Sequence, residues 1–129
     1  MADGETIRLS VPGNKEYALV IRTALGGAAI LKDLDVDTMD DLRMAADESC
    51  DCLLHQGVPV KELHVTIGED GAYLQVSIEA EMQGDGHGDA DDAAVMQAVL
   101  ETLAPKVHLT TTAGGCIRRI DLAVLRVGM

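Results

Sequence analysis

Leu63-His64-Val65-Thr66-Ile67-Gly68-Glu69-Asp70-Gly71-Ala72-Tyr73-Leu74-Gln75-Val76-Ser77-Ile78 reads as two strands joined by a turn. Leu63, Val65 and Ile67 fall on one face, as do Leu74, Val76 and Ile78, and such alternation marks strands with one wet and one dry side. Glu69-Asp70-Gly71 is the expected hairpin turn. A sheet with one apolar face must bury it against another layer, and the flanking sequence offers helices for that purpose.

Upstream, Thr6 to Val11 alternates as a half-buried strand that Pro12-Gly13 stops. Asn14 is the expected N-cap of a helix carrying Tyr17, Val20, Ile21, Ala24, Leu25, Ala28 and Leu31 at helical spacing. Gly26-Gly27 inside it costs about 1 kcal/mol per Gly relative to Ala, which reads as room for close approach of another element. Asp37 or Thr38 is expected to cap a second helix, with Met39, Leu42, Ala46, Ser49 and Leu53 inward and Gln56-Gly57-Val58-Pro59 as its end. Downstream of the hairpin, Gln83 to Asp92 is a Gly/Asp-rich loop without core residues. Val95, Met96, Val99, Leu100 and Leu103 form one face of a third helix, and the methionines at helical positions read as core filler. Val107, Leu109 and Thr111 read as a strand, Ala113-Gly114-Gly115 as a turn, and Ile117 to Val127 as the closing strand. The order β, α, α, β, β, α, β, β, with no repeat and no linker, predicts one domain over residues 1–129. Its architecture is a two-layer α/β sandwich, a mainly antiparallel sheet with helices on one face.

The 129 residues suffice for one core, which must be aliphatic because there are two Tyr and neither Phe nor Trp. That scarcity of rings, with a net charge of −12, argues against a nucleic-acid partner and against anionic membranes; the charge either attracts a partner with a basic surface or merely keeps a small protein soluble. The acidic start Met1-Ala2-Asp3-Gly4-Glu5 lacks an apolar segment, no apolar run is long enough to span a membrane, and three cysteines is an odd count. A cytoplasmic protein with reduced thiols is the expectation.

Two stretches carry a resemblance. Val11-Pro12-Gly13-Asn14-Lys15-Glu16-Tyr17 followed by Val20-Ile21-Arg22 is similar to the first-helix entry of the anti-sigma-factor serine-protein kinases of the GHKL (histidine-kinase-like, Bergerat-fold) ATPase family. Asp41-Leu42-Arg43-Met44-Ala45-Ala46-Asp47-Glu48-Ser49-Cys50 resembles their N-box helix. The resemblance covers residues 6–80 well and the rest by element order. It implies that Glu48 stands where the family has its general base, and Cys52 where the family has an Asn that holds Mg²⁺. A thiol is a poor ligand for that hard cation. The adenine-reading Asp of the family falls on Ala80, with Met82 at the first Gly of its motif. A shifted register finds Gly84, Gly86 and Gly88 without the leading Asp. The phosphate loop is replaced by Asp89-Ala90-Asp91-Asp92, and carboxylates oppose a triphosphate where backbone N–H groups are needed.

Each candidate has a plain alternative. Glu48 is a catalytic base or a solvated helix carboxylate. Arg22, with Ala18 and Leu25 one turn away, is a partner-binding patch, or Arg22 is simply a solvent-facing side chain. Glu48, Asp51, Cys52 and His55 share a helix face, yet only Cys52 and His55 are good transition-metal ligands, so no metal site is expected. Gly84-Asp85-Gly86-His87-Gly88 reads as a flexible remnant of an ATP lid, and His64 and His108 as structural. The resemblance implies an anti-sigma-factor-like regulator acting in partner switching, with ATP binding impaired and no cofactor expected. Its partners would be a sigma factor and an anti-sigma antagonist protein, and it would form a homodimer. The alternative is an active ATP-dependent serine-protein kinase, with Mg-ATP as cofactor, that phosphorylates the antagonist.

Overall fold

A computed structural model describes residues 5–126. Its elements are β1 (Ile7–Pro12), a single 3-10 turn (Lys15–Tyr17), α1 (Ala18–Leu31), α2 (Val36–Leu54), β2 (Val60–Asp70), β3 (Tyr73–Met82), α3 (Ala90–Glu101), β4 (Lys106–Thr111) and β5 (Ile117–Leu125). The strands form a five-stranded sheet in the order β1-β2-β3-β5-β4, every neighbouring pair antiparallel. The expected element order and sandwich are both present. Val127, placed in the closing strand by its periodicity, and Met1 to Gly4 lie outside the described residues.

One core joins the layers. Ile21 and Leu25 of α1 and Leu42, Ala46 and Leu53 of α2 pack on the alternating residues Leu63, Val65, Leu74, Val76, Ile78, Ile120 and Leu122 of the sheet. Each fully buried Leu or Ile contributes about 1.5–3 kcal/mol through the water it leaves, which is how a chain without Phe or Trp holds together. The opposite sheet face is polar, with Ser10, His64, Ser77 and Asp121 among its side chains. There Lys106 reaches over β5 to lie 4.0 Å from the centre of the Tyr73 ring. Among the described residues no helix is long and apolar enough to cross a membrane.

Several local expectations are corrected. The hairpin turn is Gly71-Ala72, with Gly71 at φ 60, because Glu69 and Asp70 still pair with Leu74 and Tyr73. Glu69 instead ties the layers together, 2.7 Å from Lys32 beyond α1 and 3.8 Å from Arg126 beyond β5. The Lys32 hydrogen bond holds its carboxyl below the usual range, and Arg126 adds to this. The cap of α2 is Asp35, whose side chain accepts the Thr38 N–H at 2.7 Å, because the helix begins at Val36, earlier than Asp37 or Thr38 implied. Asn14 makes no side-chain cap; the chain bends through the 3-10 turn first, and the Tyr17 N–H donates to the Asn14 carbonyl. Val95 and Val99 of α3 are exposed, because the inward residues Ala93, Met96 and Leu100 use the other side of a helix that starts at Ala90, and Leu103 packs on the core just past its end. Met96 packs on the core, whereas Met44 is exposed.

Gly26 and Gly27 admit no close neighbour: a Cβ at either would meet nothing within 4 Å. They therefore cost helix stability without serving packing inside the chain. Gly26→Ala and Gly27→Ala are each expected to raise unfolding free energy by about 1 kcal/mol, read by urea denaturation.

Candidate functional site

The second half of α2 is amphipathic, and its buried residues Ala45, Ala46, Ser49, Cys50 and Leu53 press it onto the sheet. Ser49 is the one polar side chain fully buried among the described residues, and it is satisfied by donating to the Ala45 carbonyl at 2.7 Å. This seating aims the remaining residues of α2 into two hollows on either side of the helix.

The first, about 380 Å³, lies between α1 and α2 and is bordered by Lys15, Ala18, Arg22, Asp47, Glu48 and Asp51. Arg22 crosses it to Asp47 at 3.0 Å, and Lys15 approaches Asp51 at 3.6 Å. Glu48 is exposed and has neither hydrogen bond nor ion pair among the described residues. The second hollow, about 610 Å³, is enclosed by the end of α2, the start of α3 and the β4–β5 turn. Cys52, His55, His87, Asp89, Asp92 and Met96 line it.

The structure therefore separates residues that the sequence grouped. Cys52 and Gly88 meet at the second hollow, while Glu48 opens on the first. Ala80 is buried in β3 opposite Leu63, and its methyl group has no acceptor to read an amino group. Gly84 stands open at φ 109. Gly86 and Gly88 belong to no loose lid. A Cβ on Gly86 would come within 2.1 Å of Val58 Cγ2, and one on Gly88 within 1.9 Å of the Gly115 carbonyl oxygen. The Gly88 N–H also donates to the Gly114 carbonyl at 2.9 Å. These glycines let two backbones lie against each other, so the segment is fastened to the β4–β5 turn.

The electrostatics of the second hollow are negative. Burial pushes the Cys52 thiol up to about 11, and the carboxylates of Asp51, Asp92 and Glu48 push in the same direction. Cys50, facing the core, rises to about 12 by burial, with Asp47 and Asp51 adding. Both favour the protonated thiol at neutral pH, so neither is a ready nucleophile. At the head of α3 the Asp89 carboxylate accepts the Asp91 N–H at 2.8 Å, and Asp91 and Asp92 fill the first turn. One N–H of the helix start is thus bonded to the chain's own carboxylate, and further carboxylates stand at its positive end.

Two features escaped the sequence reading. Gln56 makes a two-way bond with the backbone of Ile117, donating to its carbonyl at 2.6 Å and accepting its N–H at 2.7 Å. It ties the end of α2 to the first residue of β5 and so fixes the floor of the second hollow. A glutamine beyond a helix end carries no signal of a partner 61 residues away. Gln56→Ala leaves two backbone groups unpaired near the core and is expected to cost about 2 kcal/mol in urea denaturation.

The second feature is the open face of α1. Leu25 is fully buried and offers nothing to a partner, and Arg22 is held by Asp47. The exposed apolar side is turned by one residue, about 100°. Leu19, Val20, Ile30 and Leu31 face solvent along it, followed by Val36 at the start of α2. Ile30 and Leu31 are 70% and 74% exposed. Helical periodicity alone did not distinguish the buried stripe from the open one, because α1 is apolar nearly all round.

Comparison with known proteins agrees with this architecture. No family model matches the chain. It is 31% identical over 102 residues to the anti-sigma-F factor RsbW from each of two Mycobacterium tuberculosis strains, a match spanning 79% of this chain and 60% of those relatives. The chain thus spans about three fifths of the length of the curated relatives it matches. The fold superposes on a crystal structure of the RsbU and RsbW domains of a Mycobacterium tuberculosis protein with a TM-score of 0.72. That likeness, at 15% identity, covers 94% of this chain and 32% of the other. The sequence match through the α2 region and the helix-over-sheet layering converge, and the chain belongs to the anti-sigma-factor serine-kinase family of GHKL-like fold.

Proposed function

We propose that this protein is an anti-sigma-type regulator that works by gripping protein partners, with nucleotide binding impaired. Its partners are a sigma factor and an anti-sigma antagonist protein, and it acts as a homodimer in the cytoplasm, with no cofactor. The kinship with a protein named an anti-sigma-F factor supports the regulatory part. The observation that carries the nucleotide part is the acidic head of α3. Asp89 caps the helix and Asp92 borders the same hollow, so a triphosphate would meet carboxylates where it needs N–H groups.

The partner face is the open side of α1. Leu19, Val20, Ile30 and Leu31 form an apolar stripe on a strongly acidic molecule, a pattern that marks protein contact surfaces. The acid around it steers basic partners by charge, and the stripe supplies the area buried on contact. The second reading, an active serine-protein kinase, rests on Glu48 standing unpaired on α2 at the family's base position. A carboxylate acts as a base only within reach of the hydroxyl it deprotonates, and Glu48 opens on a different hollow from Cys52.

The test is transcription in vitro by RNA polymerase loaded with each alternative sigma factor of the host cell. Inhibition of one of them, equal with and without Mg-ATP, is the expected result. Inhibition of none refutes the anti-sigma reading, and phosphoryl transfer to an antagonist protein that Glu48→Ala abolishes establishes the kinase instead.

A further inference from the structure

On the polar face of the sheet, away from both hollows, three strands bring Ser10, Glu62, His64 and Glu81 together. The register accounts for it: Ser10 of β1 lies opposite His64 of β2, and Glu62 lies opposite Glu81 of β3. Glu62 and His64 are two residues apart and so point the same way. Glu79 lies directly opposite His64, and Glu81, its diagonal neighbour across the strand pair, is the carboxylate that reaches the imidazole. The Ser10 hydroxyl is 2.7 Å from His64 Nδ1, and His64 Nε2 is 3.0 Å from Glu81 Oε1 and 3.8 Å from Glu62 Oε1. One ligand atom from each of Glu62, His64 and Glu81 falls within 4.8 Å of the others.

We propose that Glu62, His64 and Glu81 bind a divalent transition metal of the zinc class. Donors around a tetrahedral zinc at about 2.0–2.1 Å stand about 3.3 Å apart, and the 3.0 and 3.8 Å separations here bracket that spacing. The site therefore needs little rearrangement of side chains carried on paired strands. Ser10 completes it: a hydroxyl that accepts the Nδ1 proton leaves the Nε2 lone pair free for the metal, as outer partners of metal-bound histidines do. An imidazole with two carboxylates suits zinc, cobalt or nickel better than magnesium, which prefers oxygen alone. The neighbouring cations do not block it. Lys61 approaches the other oxygen of Glu81 at 3.9 Å, and Arg118 is engaged by Glu79 at 3.7 Å. A chain of net charge −12 attracts a divalent cation at long range. Three protein donors leave a fourth position for water or for a donor from a docked protein.

The competing explanation is an ion pair in which a protonated His64 bridges the two carboxylates. The competing metal site is Cys52 with His55 and His87 in the second hollow. Titration calorimetry of the full chain, stripped with chelator, against zinc chloride at pH 7 separates all three. One zinc per chain is expected. His64→Ala should weaken it at least tenfold and Ser10→Ala about tenfold, while Cys52→Ser should leave it unchanged. The same chain loaded with cobalt should show a tetrahedral visible spectrum that His64→Ala removes. If His64→Ala alters the far-UV circular dichroism, Glu81→Gln serves in its place with the same expected loss. Absence of zinc binding, an affinity equal to the parent's in both the His64 and the Glu81 variant, or loss on Cys52→Ser overturns the proposal.

Discussion

Gly88→Ala is expected to destabilise the protein by about 2–3 kcal/mol, seen as a lower urea midpoint. The added Cβ would sit 1.9 Å from the Gly115 carbonyl oxygen and 2.6 Å from the Cys116 nitrogen, both backbone atoms that cannot rotate aside. Relief requires the Gly84–Gly88 segment to lift off the β4–β5 turn. That movement stretches the bond from the Gly88 N–H to the Gly114 carbonyl and opens the side of the second hollow. Overpacking against a rigid neighbour costs 1–3 kcal/mol or more. Gly84→Ala is the informative companion. Space is open there but φ is 109, so its cost is backbone strain alone. If Gly88→Ala were neutral, the segment would be loose, and the idea of a remnant lid would return.

Ile30→Asp combined with Leu31→Asp is expected to abolish partner inhibition by at least about 100-fold while leaving the fold intact. Both side chains stand mostly in solvent at the end of α1, so charge there costs the isolated protein little. In a complex, each apolar anchor of this size contributes about 1.5–3 kcal/mol. Two therefore exceed the 2.7 kcal/mol that corresponds to a hundredfold change in affinity. Far-UV circular dichroism should match the parent. A double variant that inhibits transcription as well as the parent would place the contact elsewhere. Leu25→Asp is no substitute, since Leu25 is in the core and its loss would report stability instead of binding.

The alternation in β2 and β3 made the sheet legible, because period-two patterns with one buried face have a single consistent reading. The order of elements followed from where the helical periods interrupt the strands. What the sequence left open depended on rotation and on distance. Leu25 and Leu19 are both leucines on an apolar helix, and only the packing of α1 on α2 and the sheet decides which is buried. The acidic start of α3 was visible as chemistry, and its cap by Asp89 is the structural form of that signal. The separation of Glu48 from Cys52 into different hollows was not legible, since residues one turn apart share a face yet can look past a ridge in opposite directions. The Gln56–Ile117 tie and the Ser10–His64–Glu81 cluster join residues distant in the chain, and nothing local announces them.

On the proposed function, the chain's own carboxylates hold the place of a nucleotide's phosphates. Titration calorimetry of the full chain with Mg-ATP tests it most directly. No measurable heat of binding up to millimolar nucleotide is expected in the parent protein. Saturable one-to-one binding in the low micromolar range would contradict it.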